Sequence, residues 1–339
     1  MAMLVLIWLD FLCGSIKISS ADLAKLLFGL PISDETVASV FYPFRLPRVL
    51  TAIFAGAALP VAGVLMQALF RNPLASPSEL GVTAGASLAV AVLVLGIGSV
   101  AGNANTFGGG ISAWWANLPP SLAALSTAGA AALGSGIMLL FILSLASRIT
   151  QSATLLIAGL LISNMVGALI GILQWSSNAD SLRAFTFWGL GSLNGVDSAK
   201  LAVFIPLIFL GLLLAQFLAK PLNALVLGDE TAMGLGVSIR YLRYGILFTA
   251  SLLTGVVTAF CGPIAFLGLA VPLLSRSLLG RSDHRWIIPT SMILGICLLL
   301  VCDALSHLPK QGGVLPVNVL TALLGGPIIL WVVLRREAE

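Results

Sequence analysis

From Val49 to Phe70 no side chain carries a charge, and the stretch is bounded by Arg48 on one side and Arg71 on the other. An apolar run of this length matches the roughly 20 residues that a helix needs to cross the hydrocarbon core of a bilayer. In that medium every backbone amide must be satisfied within the segment, so the run folds as a helix. Its ends are built differently. The first, Arg45-Leu46-Pro47-Arg48, places two cations on a chain stiffened by proline where water begins, and the second, Arg71-Asn72-Pro73-Leu74, is a turn that stops the helix.

Similar runs recur along the whole chain. Hydropathy places ten spans, at about residues 2–19, 47–69, 80–101, 119–145, 153–174, 200–219, 242–261, 264–280, 287–306 and 316–334. Hydrophobic residues make up 59% of the chain and charged ones only 9%, against roughly 25% charged in soluble domains. The expected fold is therefore all-α and integral to the membrane, a single domain over residues 1–339 with no room for a soluble module. The net charge of +4 reflects loops at one membrane face, and nucleic acid is not an expected partner.

Cys13, Cys261, Cys297 and Cys302 lie in apolar runs without metal-ligand spacing and read as small buried hydrophobes. With His284 and His307 as its only histidines, the chain is not expected to hold a free metal ion. Any metal it handles should arrive chelated. His284, between Asp283 and Arg285, reads as a solvated loop residue.

A cytoplasmic N-terminus puts ten of the seventeen cations in inner loops, among them Arg71, Arg148, Lys220, Arg240, Arg243 and Arg276, in agreement with the positive-inside rule. The first span contains Asp10 and lacks a basic region before it, so it reads as a membrane helix and not as a signal peptide, with a start shortened relative to similar chains. Residues 102–118 form a Gly-rich outer loop whose Trp114 and Trp115 suit an interfacial anchor. The runs Ala55-Gly56-Ala57-Ala58 and Gly167-to-Gly171 suit close helix approach. No internal repeat is evident, which counts against inverted-repeat secondary transporters.

Several motifs together resemble the FecCD family of permeases, the membrane subunits of ATP-driven importers for iron-siderophores, haem and vitamin B12. They are Arg45-Leu46-Pro47-Arg48 with Gln67 to Pro77; Gly262 to Arg276 with Gly280 to Arg285; and Asp303 to His307 with Leu315 to Pro327. The resemblance implies a type II ABC importer permease architecture in the bacterial cytoplasmic membrane. The implied partners are a second permease chain, two ATPase subunits and a substrate-binding protein, with lipid around them. Arg45 and Arg48 would receive acidic residues of the binding protein. His307 stands where the family has a third arginine and could join them only when protonated; a structural pairing with Asp303 is the other reading. Asn318 likewise replaces a family glycine, and Leu273 a histidine.

Residues 221–240 are similar to the family's coupling loop, with Asp229, Glu230, Ala232 and Gly236 at the matching positions. A short helix from about Gly228 to Leu235, ended by Gly236, would present a knob to a cytoplasmic partner. The chain has no G-x-x-x-x-G-K-[ST] loop to cradle phosphates, so ATP would act through the partner subunit and no cofactor is bound directly. By the same resemblance the inner gate falls at Ser152 and Ala153, and Asp180, Arg183 and Trp188 lie near a short outer helix. The competing function is a secondary transporter, for which Asp10 is the one plausible mid-membrane ion-coupling residue. A scaffold or an intramembrane enzyme is weaker still, because no nucleophile–base pair or catalytic metal set is present.

Overall fold

The computed structural model describes residues 1–14, 18–27, 30, 35–98, 120–149, 151–308 and 313–337. The Gly-rich stretch with Trp114 and Trp115, and Lys17, Thr150 and Lys310, lie outside them. The described residues are helical and contain no strand: α1 (Ala2–Leu12), α2 (Ser20–Leu27), α3 (Glu35–Val40), α4 (Leu46–Phe70), α5 (Val82–Gly98), α6 (Pro120–Arg148), α7 (Ser152–Ser176), α8 (Ala179–Gly189), α9 (Ser198–Val226), α10 (Asp229–Gly234), α11 (Ile239–Cys261), α12 (Leu267–Leu279), α13 (His284–Ser306) and α14 (Val317–Glu337). By length and composition, six helical stretches suffice to cross a membrane, and four shorter apolar helices lie in α1, α5, α12 and α14. Together they fall on the ten spans read from hydropathy.

Several boundaries differ from that reading, among them the sixth span, whose helix runs on to Val226. The second span begins eleven residues earlier, as one helical stretch over Thr36–Phe70. Pro43 lies in a π-helical turn at Phe41–Arg45, closed by Leu46 N–H donating to Phe41 O. The wider ring accommodates a residue that has no amide hydrogen and would break an α-turn. Arg45 and Arg48 consequently stand within a helical column and share a face, three residues apart. The first span is shorter, because the backbone turns extended at Cys13. The eighth is shorter too, since helix begins only at Leu267 after a break at Gly262–Phe266.

The central column is α4, with 83% of its most apolar window buried; α13, α11, α9 and α12 pack around it. A second group, α5 with α6, α7 and α8, joins the first through α11. The outermost long helix is α7, with 17% of its window buried.

Lipid gives helices no hydrophobic reason to associate, so close van der Waals contact has to do so. Three glycine pairs supply it. A Cβ on Gly56 of α4 would lie 2.8 Å from Gly295 O of α13, and one on Gly63 would fall on Gly268 O of α12. A Cβ on Gly85 of α5 would stand 2.6 Å from Gly134 O of α6. Gly167 and Gly171, read from sequence as a close-packing pair, instead have nothing within 4 Å of a built Cβ. They lie on the open side of α7.

Gly63→Ala should therefore lower thermal stability in detergent by about 1–3 kcal/mol through overpacking. Gly136→Ala, where the same methyl meets open space, should leave it unchanged or raise it by up to about 1 kcal/mol through helix propensity. Equal effects at the two positions would contradict the packing assignment.

Candidate functional site

Candidate functional residues gather at opposite ends of the bundle. At one end α1, α4 and α13 meet around Arg48, which is 4% exposed. Its Nη2 donates to Asp10 O at 2.9 Å and Cys13 O at 3.0 Å, carbonyls at the point where α1 stops, the first of them shared with the Cys13 amide. Its Nε lies 2.9 Å from Asp303 Oδ2 and its Nη2 3.5 Å from Asp10 Oδ1. Neither carboxylate approach has hydrogen-bonding geometry, so charge holds the cluster. Arg45 turns the same way and donates from Nη1 to Phe11 O at 2.7 Å.

Both arginines, read from sequence as standing where water begins, thus lie beneath the surface, Arg45 at 3% and Arg48 at 4% exposure. Asp10 and Asp303 are fully buried, and buried carboxylates demand a counter-charge inside the protein. His307 is drawn into the same cluster. Arg48 can only donate, so a hydrogen bond from its Nη1 to His307 Nε2, 3.0 Å away, requires the tautomer with the ring proton on Nδ1. His307 Nδ1 faces Asp303 O at 2.9 Å and Ser306 Oγ at 2.8 Å. Asp10, read from sequence only as a possible ion-coupling residue, is a partner of Arg48.

At the opposite end Arg71 terminates α4 in the left-handed conformation, φ 48°. Its guanidinium donates to Leu225 O at 3.1 Å, a carbonyl at the end of α9 that also accepts from the Gly228 amide, and pairs with Asp229, the first residue of α10. The short helix at Asp229–Gly234 lies within the segment expected to be helical. Ala232 is its buried anchor, while Glu230, Met233 and Leu235 project outward. Gly236 then turns the chain at φ +82°, a conformation that residues with a Cβ adopt at a cost.

The base beneath this helix is polar and interlocked. Asn223 of α9 donates to Asp283 at 2.5 Å and accepts from both the amide and Nδ1 of His284 at 2.8 Å. Asp283 also caps α13 through the Arg285 amide, and these hydrogen bonds hold its carboxyl below the usual carboxylate range. The stabilisation from this cap is thus present above the ordinary Asp pKa and lost as pH falls through the lower folded value. His284, expected to be solvated, is 2% exposed, because Asn223 draws the first turn of α13 against α9. Arg276 of α12 donates to Gln67 of α4 at 2.7 Å.

Ser152 and Ala153 open α7 at this same end. With Arg71, Asp229 and Arg243 they line a cavity of about 390 Å³. Arg243 of α11 donates to Ile149 O at 2.7 Å and to Ser152 Oγ at 3.1 Å, bracing the turn between α6 and α7. Sequence reading gave Arg243 only its place in a basic loop. Its spacing from Ser152 carries no local signal.

The break at Gly262–Phe266 is tied by Asn318, whose Oδ1 accepts from the Ala265 amide at 2.9 Å. The Asn318 amide donates to Leu190 O at 3.2 Å, and the Ser192 amide to Cys261 O at 2.8 Å. Asn318 therefore has a structural use at this break. Asp180 and Arg183 lie on α8, where Arg183 stands over the Phe187 ring at 5.6 Å, and Trp188 stacks on Phe185. Among the described residues no group of three or more histidine, cysteine or acidic side chains could hold a metal ion.

Asp303→Ala should cost about 3–5 kcal/mol, the penalty for removing one partner of a buried ion pair. Arg183→Ala, at an exposed position, should change stability by less than about 0.5 kcal/mol. Thermal unfolding in detergent measures both, and an Asp303→Ala protein as stable as the parent would mean the cluster contributes nothing.

Comparison with known proteins agrees with this architecture. The chain is 37% identical over 328 residues to the hemin transport system permease protein HmuU of Yersinia pestis, covering 96% of this chain and 92% of that one. It is 37% identical to the Fe(3+) dicitrate transport system permease protein FecD of Escherichia coli, covering 88% and 86% of the two chains. To the vitamin B12 import system permease protein BtuC of Photorhabdus laumondii it is 35% identical, over 89% and 84%. A solved structure described as a metal-chelate type ABC transporter in an inward-facing conformation superposes with a TM-score of 0.81 at 25% identity, covering 98% of this chain and 96% of that one. Residues 2–335 match the FecCD transport family, and the chain belongs to that family.

Proposed function

We propose that this chain is the permease subunit of an ATP-binding-cassette importer that moves a bulky metal chelate, a ferric siderophore, haem or cobalamin, into the cytoplasm. Its setting is the bacterial cytoplasmic membrane, crossed several times. The observation that carries the reading is full-length similarity to permeases of haem, ferric citrate and vitamin B12 systems, together with a short helix projecting apolar and acidic side chains beyond the ends of the spans. The functional unit pairs two such permeases, identical or similar, with two ATPase subunits at the Arg71 end and a substrate-binding protein at the Arg48 end.

In this arrangement Asp229, Glu230, Ala232 and Gly236 form the coupling element. Exposed Met233 and Leu235 supply apolar contact with the ATPase, and Glu230 supplies charge. Ser152 and Ala153 form the constriction on the permeation path. Arg45, Arg48 and His307 support docking from beneath the surface, by fixing the ends of α1 and α13 on which the binding protein rests. ATP acts only through the partner subunit.

Purified alone, the chain should hydrolyse no ATP, whereas co-expression with its ATPase should give a complex that survives size exclusion in detergent. Sustained hydrolysis by the pure chain, after contaminating ATPases are excluded, would refute the assignment. Gly236→Val should weaken retention of the ATPase by about tenfold, since a side chain at this φ costs roughly 1–2 kcal/mol. Membrane insertion should be unaffected. Unchanged retention would remove residues 228–236 from the interface.

A further inference from the structure

The turn between α6 and α7 is braced from outside. Ile149 O, just past the last residue of α6, and Ser152 Oγ, in the first turn of α7, both receive the guanidinium of Arg243. Arg243 stands in the first turns of α11. The preceding α10 is joined to α11 through a tight connection in which the Val237 amide donates to Ala232 O at 3.0 Å, with Ala232 fully buried. A displacement of α10 is therefore delivered to the start of α11.

A second link, Arg71 with Asp229, ties α10 to α4, but its side chains are 50% and 56% exposed. Ion pairs that open to water are weak and screened by salt. The bonds from Arg243 are of another kind. They are charge-assisted and reach both sides of one turn through a planar fork, a geometry that lysine cannot reproduce. The cavity of about 390 Å³ beside Arg71, Ser152, Ala153, Asp229 and Arg243 leaves space for the turn to move.

We infer that Arg243 is the positioning residue that transmits displacement of the coupling helix α10 to the gate turn at residues 149–153. A shift of α10 moves the first turns of α11, and the guanidinium carries Ile149 and Ser152 with it. The inference rests on the importer reading, in which α10 meets the ATPase and residues 152 and 153 form the constriction.

The test uses the whole complex in proteoliposomes, with Ala153→Cys as a spin-labelled reporter in a chain whose four native cysteines are replaced. Hydrolysis and the reporter's response to ATP with vanadate are read together. With Arg243 intact, nucleotide should change the label's mobility. Arg243→Ala should leave hydrolysis within about twofold while reducing the reporter response about fivefold or more, in the range of energetic couplings between sites. Arg243→Lys, which keeps the charge and loses the fork, should behave like Arg243→Ala, and it decides the matter if the alanine variant does not assemble. A full reporter response in Arg243→Lys overturns the inference. So does a parallel fall of hydrolysis and response, since Arg243 would then serve only to hold the fold. If the parent complex itself shows no nucleotide response, the importer reading fails and this inference with it.

Discussion

Direct backbone contact between α4 and its neighbours is the constraint on which the other features depend. At Gly56 and Gly63 the central column lies against the main chain of α13 and α12, with no space for a methyl group at Gly56, Gly63 or Gly295. Among hydrocarbon tails, apolar side chains gain nothing by leaving lipid for protein, so dispersion over close surfaces must hold the helices. The contacts also fix register. Once α4 is seated on α12 and α13, Arg48 is level with Asp303 and Gln67 is level with Arg276, and the polar ties at the two ends become possible.

These ties divide the work between the ends. Around Arg48 the groups are buried and enclosed, two acidic side chains and a histidine around one guanidinium, and they lock α1 to α4 and α13. Around Arg71 and Arg243 the groups are partly exposed, bind carbonyls at helix ends and adjoin a cavity. Charge enclosed without water resists rearrangement, whereas charge that water can reach exchanges partners readily. The rigid end is thus suited to receive a partner, and the adaptable end to be moved by one.

The spans were legible because a stretch of about 20 apolar residues has one solution in a bilayer, and the family motifs were legible because they are local. The helix before α4 was not, since Pro43 and Pro47 signal a boundary and a π turn that absorbs Pro43 leaves no mark in composition. Gly167 and Gly171 misled for a related reason: spacing shows that two glycines share a face, but not whether a neighbour is present. Burial of His284 depends on Asn223, and that of Arg48 on Asp10 and Asp303, partners brought together only by folding. Arg243 shows the same limit, being one cation among several in a basic loop until its partners on α6 and α7 are known.

The break at Gly262–Phe266 bears on how the chain sits among its surroundings. With 13 residues, α12 rises about 20 Å, well short of the ~30 Å hydrocarbon thickness, so irregular backbone makes up part of the crossing. Asn318 satisfies the Ala265 amide, yet Ala265 and Phe266 remain exposed on the surface of the single chain. Non-helical main chain at that depth is tolerated only against protein or water. Wherever that backbone lies within the hydrocarbon, the flank bearing Ala265, where α11 gives way to α12, must face protein or water and not acyl chains.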